Sequence, residues 1–315
     1  MSQSSSSVTH PHLGIRTRRR SGWHRWEEQV IGYLFLLPAG LLVGAVAVVP
    51  LIRTVLTSLT NEVLVEQTHA FVGLANFRLL TQDLFFKKAY GNTWAFSLLS
   101  VLGETILGIA LALVMQQNWR LRGLVRAAVL IPWAIPDIVA ARLWTWLYDG
   151  TYGLVNYVLL SLHLISQKVN WLGDPQLALH ALVVADVWKT TPFMALLLLA
   201  GLQGIPAQLY EAASVDGAGL VRTFRLVTLP LVAPVLIIAI LMRFLGAFQI
   251  FTLIYAATEG GPAGSTETLS TYTYKTMFSA TQFGYGAAMA VVLFATLLVA
   301  TLATLALFGR RLTRA

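Results

Sequence analysis

Residues 30–52 read VIGYLFLLPAGLLVGAVAVVPLI, a run of 23 residues without a charge. As a helix it would cover roughly 30 Å, the depth of a bilayer's hydrocarbon. The basic residues before it (Arg16, Arg18, Arg19, Arg20 and Arg25) and Ala45-Val46-Ala47 within it have the order of a secretion signal. The run is longer than the apolar core of such a signal, so an uncleaved first membrane helix is expected.

Five more apolar stretches come after it, roughly Ala89–Met115, Ala127–Tyr148, Leu177–Leu202, Leu231–Ala257 and Phe283–Phe308. Each is far too long for a strand of a membrane barrel. Backbone in hydrocarbon must satisfy its own hydrogen bonds, which a helix does within one segment. The expected fold class is therefore all-α, a polytopic membrane protein of six transmembrane helices. Composition agrees: 11% of the 315 residues are charged and 57% hydrophobic. Soluble domains carry about 25% charged residues, and so few charges could not cover a water-facing surface. With no cysteine there is neither disulfide nor thiolate metal site. The six histidines form no HxxxH or HExxH pair, so no metal site is expected.

The bases give an orientation. With the N-terminus in the cytoplasm, cytoplasmic segments hold the five tail arginines, Arg120, Arg122, Arg126, Arg222, Arg225, Arg310, Arg311 and Arg314. Outer segments hold only Arg53, Arg78, Lys87, Lys88, Lys168 and Lys275. That excess obeys the positive-inside rule with both termini cytoplasmic. The net charge of +8 is thus an orientation signal and not a nucleic-acid patch. The expected layout is a basic cytoplasmic tail over 1–29, a six-helix membrane domain over 30–308 and a short cytoplasmic tail over 309–315. No internal repeat is visible. Asn170–Pro175 and Gly260–Gly264 are turn chemistry for outer loops.

The fourth connection, 203–230, is long and cytoplasmic. Pro206 suits a first helical turn, residues 208–214 favour helix, Gly217 permits a sharp break, and Asp216 could cap a second helix. The stretch to Phe224 is again helical, and Leu229-Pro230 opens the fifth span. A short helix, a turn and a second helix at the membrane face are expected. Small residues there would let another protein approach, and Glu211 offers it a carboxylate.

Glu211-Ala212-Ala213, three residues, Gly217, nine residues, Val227, one residue and Leu229-Pro230 resemble the EAA motif of binding-protein-dependent ABC importer permeases, with Val227 in place of isoleucine. Phe71–Phe77, Asn92-Thr93, Ile131–Pro136 and Phe251–Pro262 resemble MalF-type carbohydrate permeases. Val187–Met194 looks nearest to the trehalose/maltose type. The resemblance covers most of residues 30–315, without the large outer insertion and extra helices of the enteric maltose permease. It implies a type I ABC importer permease fold, in which 203–230 is a coupling helix that docks on an ATPase. Tyr210, Glu211, Ala212, Ala213, Asp216, Gly217, Leu229 and Pro230 would carry that role. It further implies a second homologous permease, two ATPase subunits, an extracytoplasmic sugar-binding protein and a disaccharide cargo, trehalose or maltose first. The place would be the bacterial plasma (inner) membrane. The chain has no G-x-x-x-x-G-K-[ST] loop, so ATP and magnesium belong to the partners and this subunit is not itself an enzyme.

Six ionisable residues lie in the spans: Glu104, Asp137, Arg142, Asp186, Lys189 and Arg243. Each costs roughly 2.5–3.5 kcal/mol at mid-bilayer, so each should face the interior or a partner. Asp186 and Lys189, three apart, are placed to pair. Arg243 needs a partner from another helix, with Asp137 and Asp186 the candidates, and Glu104 and Arg142 are read as structural. Positions resembling sugar contacts in the maltose permease fall on Trp133, Asp137, Asp186, Thr190, Phe193, Arg243, Ala247 and Ile250, and Lys189 joins them through its charge. Several of these are neutral and polar in that permease, which puts maltose itself in question. The rival readings are an ion-coupled secondary transporter, which would use Asp137 and Asp186 with broken, repeated helices, and a membrane enzyme, for which no nucleophile–base set is present.

Overall fold

The computed structural model describes residues 22–66, 70–117 and 120–312. Most of the expected N-terminal tail and residues 313–315 lie outside that range. The chain divides into two compact units, 1–53 and 54–315. Described from residue 22, the first unit is helix α1, Gly22–Val43, a π-helical turn over Gly44–Val48, and the start of α2, Val49–Ser58. The first span therefore runs on past Ile52, and Arg53 is helical, not part of an outer loop.

In the second unit, α3 (Ala75–Gln82) sits against the end of α2 through Asn76. Its Nδ2 donates to the Ser58 and Thr60 carbonyls at 2.9 and 2.8 Å, satisfying groups that the end of α2 leaves open. The second span is α4, Leu84–Gln116, begun by Asp83, whose Oδ1 accepts from the Phe85 and Phe86 amides. The fourth span is α8, Ala178–Gln203, and the sixth is α14, Phe283–Leu312. All three match the apolar lengths of the sequence.

The third span departs from expectation. It is two helices, α5 (Arg122–Ala134) and α6 (Asp137–Leu147), bent by 91° at Ile135-Pro136. Pro136 has no amide to donate and pushes Ile135 into extended backbone (φ −72°, ψ 131°). Counting that pair as one, the described residues hold six helices or helix pairs able to cross a membrane. A short helix, α7 (Leu154–Ser161), comes next. Asn156 fastens it to the loop beyond, donating to Val169 O at 2.9 Å and accepting from Val169 N and Trp171 Nε1 at 3.1 Å.

The fifth span also differs. It begins at Leu220, not Leu231: α10 (Leu220–Thr223) passes through a π-helical turn at Phe224–Thr228 straight into α11 (Leu229–Phe248). It stops at Phe248, and 252–258 form a separate helix, α12 (Thr252–Thr258), packed on α6. The carbonyl of Ile250, freed at this break, accepts from the Thr268 hydroxyl at 3.2 Å. Thr268 also caps α13 (Leu269–Tyr274).

α4 and α8 form the central pair, with α11 packed on both. One apolar cluster gathers Phe96, Val101, Leu182, Val183, Ala247 and Ile254. A second gathers Ala112, Met115, Met194, Leu198 and Val232. Along α4 and α8 the interval between the clusters holds Glu104 and Asp186–Thr190.

Candidate functional site

Glu104 of α4 is fully buried. Facing it from α11, Arg243 donates through Nε to Oε2 at 2.5 Å and through Nη2 to Oε1 at 2.9 Å. Nη2 also lies 3.5 Å from Oδ2 of Asp186 on α8, itself buried. Thr190, one turn beyond Asp186, places its hydroxyl 2.7 Å from Glu104 Oε1 and 2.6 Å from the Asp186 carbonyl. Three helices thus meet on one charged knot. One carboxylate balances the guanidinium, as a low-dielectric interior requires, and the second leaves the knot with one acid more than it has bases.

A second pair lies beside it. Lys189 Nζ stands 2.6 Å from Asp137 Oδ1, the lysine 14% and the aspartate 63% exposed. Asp137 is the first residue of α6, where the amides left open by the break favour a negative charge. One turn along α8, Phe193 stacks on Trp133 of α5, ring centroids 5.9 Å apart and planes 20° from parallel. Trp133 is 47% exposed. Ion pair and aromatic pair therefore share the open side of α5, α6 and α8, a combination that suits polyhydroxy ligands with polar rims and apolar faces.

The expected pairing of Asp186 with Lys189 does not form. The two share a face of α8, but a nearer partner for each comes from another helix: Asp137 for Lys189, Arg243 for Asp186. Of the candidates for Arg243, Asp186 is present and Asp137 is engaged elsewhere. The main partner is Glu104. Nothing near Glu104 in sequence marks it, and the even count of three acids and three bases in the spans gives no hint of which share a cluster. Ala247 is buried in the first apolar cluster and Ile250 packs on it. Arg142 is exposed on α6.

The 203–230 connection forms helix α9, Ala207–Val215, with Pro206 just ahead of it. Glu211 and Ala212 face outward, Ala213 is half-buried, and the Tyr210 and Thr228 hydroxyls lie 3.3 Å apart, tying α9 to the π-helical turn. Gly217 has φ +71°, a left-handed conformation that side chains with a Cβ rarely take. It lets the Ala218 amide return to the Ala213 carbonyl at 2.9 Å, closing the helix end. Asp216 ends α9 and does not cap the next helix: Gly219 holds that place, without a side-chain cap. The second helix is the start of the fifth span and not a separate surface piece. Around the turn, Val215 is 87% and Leu220 93% exposed. A cleft of about 260 Å³ lined by Leu209, Ala212, Ala213, Asp216 and Arg222 opens beside them.

The family described as binding-protein-dependent transport system inner membrane component matches residues 104–314, from the buried glutamate through the exposed loop to the last helix. The chain belongs to this family. It is a multi-pass membrane permease and not an enzyme. The permease is 43% identical to the trehalose/maltose transport system permease protein MalF of Thermococcus litoralis, covering 88% of this chain and 93% of that one. It is 38% identical to the sulfoquinovosyl glycerol transport system permease protein SmoG of Agrobacterium fabrum, over 87% and 89%. Among solved structures, a permease chain of a bacterial ABC transporter involved in the import of the acidic polysaccharide alginate superposes with a TM-score of 0.78 at 24% identity, over 91% of this chain and 98% of that one. The fold is that of type I ABC importer permeases.

Proposed function

We propose that this permease forms half of the translocation pathway of an ATP-driven sugar importer in the bacterial plasma (inner) membrane, with both termini cytoplasmic. A homologous second permease supplies the other half. Two ATPase subunits carry ATP and magnesium, and an extracytoplasmic binding protein delivers the sugar. The 203–230 segment is the coupling element, through Tyr210, Glu211, Ala212, Ala213, Asp216, Gly217, Leu229 and Pro230. The carrying observation is the tip of that loop: Val215 and Leu220 stand almost bare in the segment that also exposes Glu211. Two large apolar side chains at such exposure, next to a cleft and a charge, suit a protein partner better than water.

The proposed cavity is lined by Trp133, Asp137, Asp186, Lys189, Thr190, Phe193 and Arg243, with Ala247 and Ile250 behind them. Aromatic faces beside hydrogen-bonding charges support a carbohydrate, as do the relatives' names. A disaccharide, trehalose or maltose, is the preferred cargo, because the T. litoralis relative is named for both. The broken third span is a feature an ion-coupled transporter would share, but membership of a binding-protein-dependent family gives that reading no support.

The test is co-purification from cells expressing all subunits, then ATPase measurement with binding protein and trehalose or maltose. Stable association and sugar-dependent stimulation are expected. A permease that never retains an ATPase subunit sinks the coupling role.

A further inference from the structure

Arg243 is the one arginine in the proposed cavity, and its surroundings leave no positive charge to spare. Both oxygens of Glu104 hold its Nε–Nη2 edge, and Nη2 also reaches Asp186. Nη1 donates no hydrogen bond among the described residues. It lies toward Gly246, where an added Cβ would stand 3.2 Å from it. The neighbouring base, Lys189, is taken by Asp137.

A guanidinium grips a carboxylate, sulfonate or phosphate through two parallel N–H groups. Here one such edge is occupied by protein, and Nη2 is shared between two acids. What remains is Nη1, enough to donate to a hydroxyl oxygen. Relatives named for an uncharged disaccharide and for a sulfonated sugar both belong to this family, so membership does not decide the charge of the cargo.

We infer that Glu104 is a specificity-determining residue: by occupying the Nε–Nη2 edge of Arg243 it leaves the cavity's natural anion receptor only the N–H groups of Nη1, with no parallel pair to grip an anion, so the pathway accepts uncharged sugars and rejects phosphorylated, sulfonated and uronic ones. This rests on the sugar-import reading and adds to it the charge class of the cargo. Glu104 acts through Arg243 and is a positioning residue.

The experiment uses the assembled transporter in nanodiscs without its binding protein, so that the cavity alone makes the choice. Binding of trehalose and of trehalose 6-phosphate is measured by saturation-transfer NMR titration. The wild type should favour trehalose by about tenfold or more, the worth of one charge-assisted hydrogen bond. In Glu104→Gln the preference should shrink by about the same factor through gain of the phosphate. Asp186→Asn should move it in the same direction by less, and stands in if Glu104→Gln does not assemble. The readout is a ratio of two ligands on one sample, so partial misfolding does not move it. A wild type that takes both sugars equally, or an assembled variant with an unchanged ratio, overturns the role of Glu104 and leaves the importer reading standing. Failure of both variants to assemble makes Glu104 and Asp186 structural and rejects the inference. A wild type that binds neither trehalose nor maltose overturns the disaccharide reading itself, and the inference with it.

Discussion

Gly108 of α4 meets Met194 of α8 so closely that a Cβ at position 108 would stand 2.5 Å from Met194 Cγ. In a membrane, where lipid is as apolar as a leucine, such close approach is what holds two helices together. Gly108→Ala should already cost about 1 kcal/mol, because the clash is with Cγ and Cβ at the root of Met194, which is fully buried and has little room to move. Gly108→Val should cost about 2 kcal/mol through overpacking. Thermal unfolding of the purified permease in detergent, monitored by tryptophan fluorescence, would report it. A valine variant as stable as the wild type would mean that α4 and α8 do not meet here.

A second expectation concerns pH. The carboxyl of Asp83 is pushed up by its burial, but hydroxyls from Tyr285 and Tyr272, each 2.7 Å from Oδ2, and the Phe86 and Phe85 amides outweigh this and hold it below its usual value of 3.8. The unfolded chain then binds the proton first as pH falls, so this contribution is complete above about pH 4 and disappears through the folded pKa below it. Asp83→Asn should flatten that part of the stability profile below about pH 4 and lower the plateau by about 1 kcal/mol by weakening the hydrogen bonds from Tyr272 and Tyr285, which the charge strengthens, while the Asn oxygen keeps the α4 cap. Identical acid profiles for the two proteins would show that the carboxylate does not tie α4 to α13 and α14.

The loop turn provides a third. Proline fixes φ near −65°, which Gly217 at +71° cannot accommodate. Gly217→Pro should abolish retention of the ATPase subunits while the permease still inserts and reaches normal levels in the membrane. Glu211→Lys, exposed and outside every packed contact, should lower ATPase retention without altering the permease's own melting. Normal sugar uptake by both variants would remove the coupling role from this segment.

The stacked pair provides a fourth. Trp133→Ala or Phe193→Ala removes an aromatic contact worth about 1 kcal/mol, or roughly fivefold in affinity. Half-maximal sugar stimulation of ATPase activity should rise by that factor in each, and the double variant should exceed neither single by much, because the rings act together. An unchanged sugar response would make the stack mere packing.

Much of this was legible from the chain. Apolar length alone located α4, α8 and α14, because hydrocarbon depth sets helix length. Helix α9 and its end were readable because Pro206 and Gly217 carry local backbone rules, whereas Leu229-Pro230 marked the start of the fifth span too late, since that span already begins at Leu220. Breaks were harder. Pro136 is visible in sequence, yet nothing local tells whether a proline kinks a span or turns it through a right angle. The end of α11 at Phe248 has neither proline nor glycine at the break; the Thr268 hydroxyl that satisfies Ile250 comes from 18 residues away. The charged knot was least legible. Glu104 and Arg243 are 139 positions apart, and only packing of α4 on α11 makes them partners. Helical spacing put Lys189 beside Asp186, but spacing knows nothing of Asp137 arriving from α6.

The right angle at Ile135-Pro136 has a mechanical meaning. A straight span pushed from one end slides like a piston, and its far end travels along the same line. A bent one works as a crank. A displacement of α5 along its own axis would carry α6 broadside, together with the α12 helix packed on it.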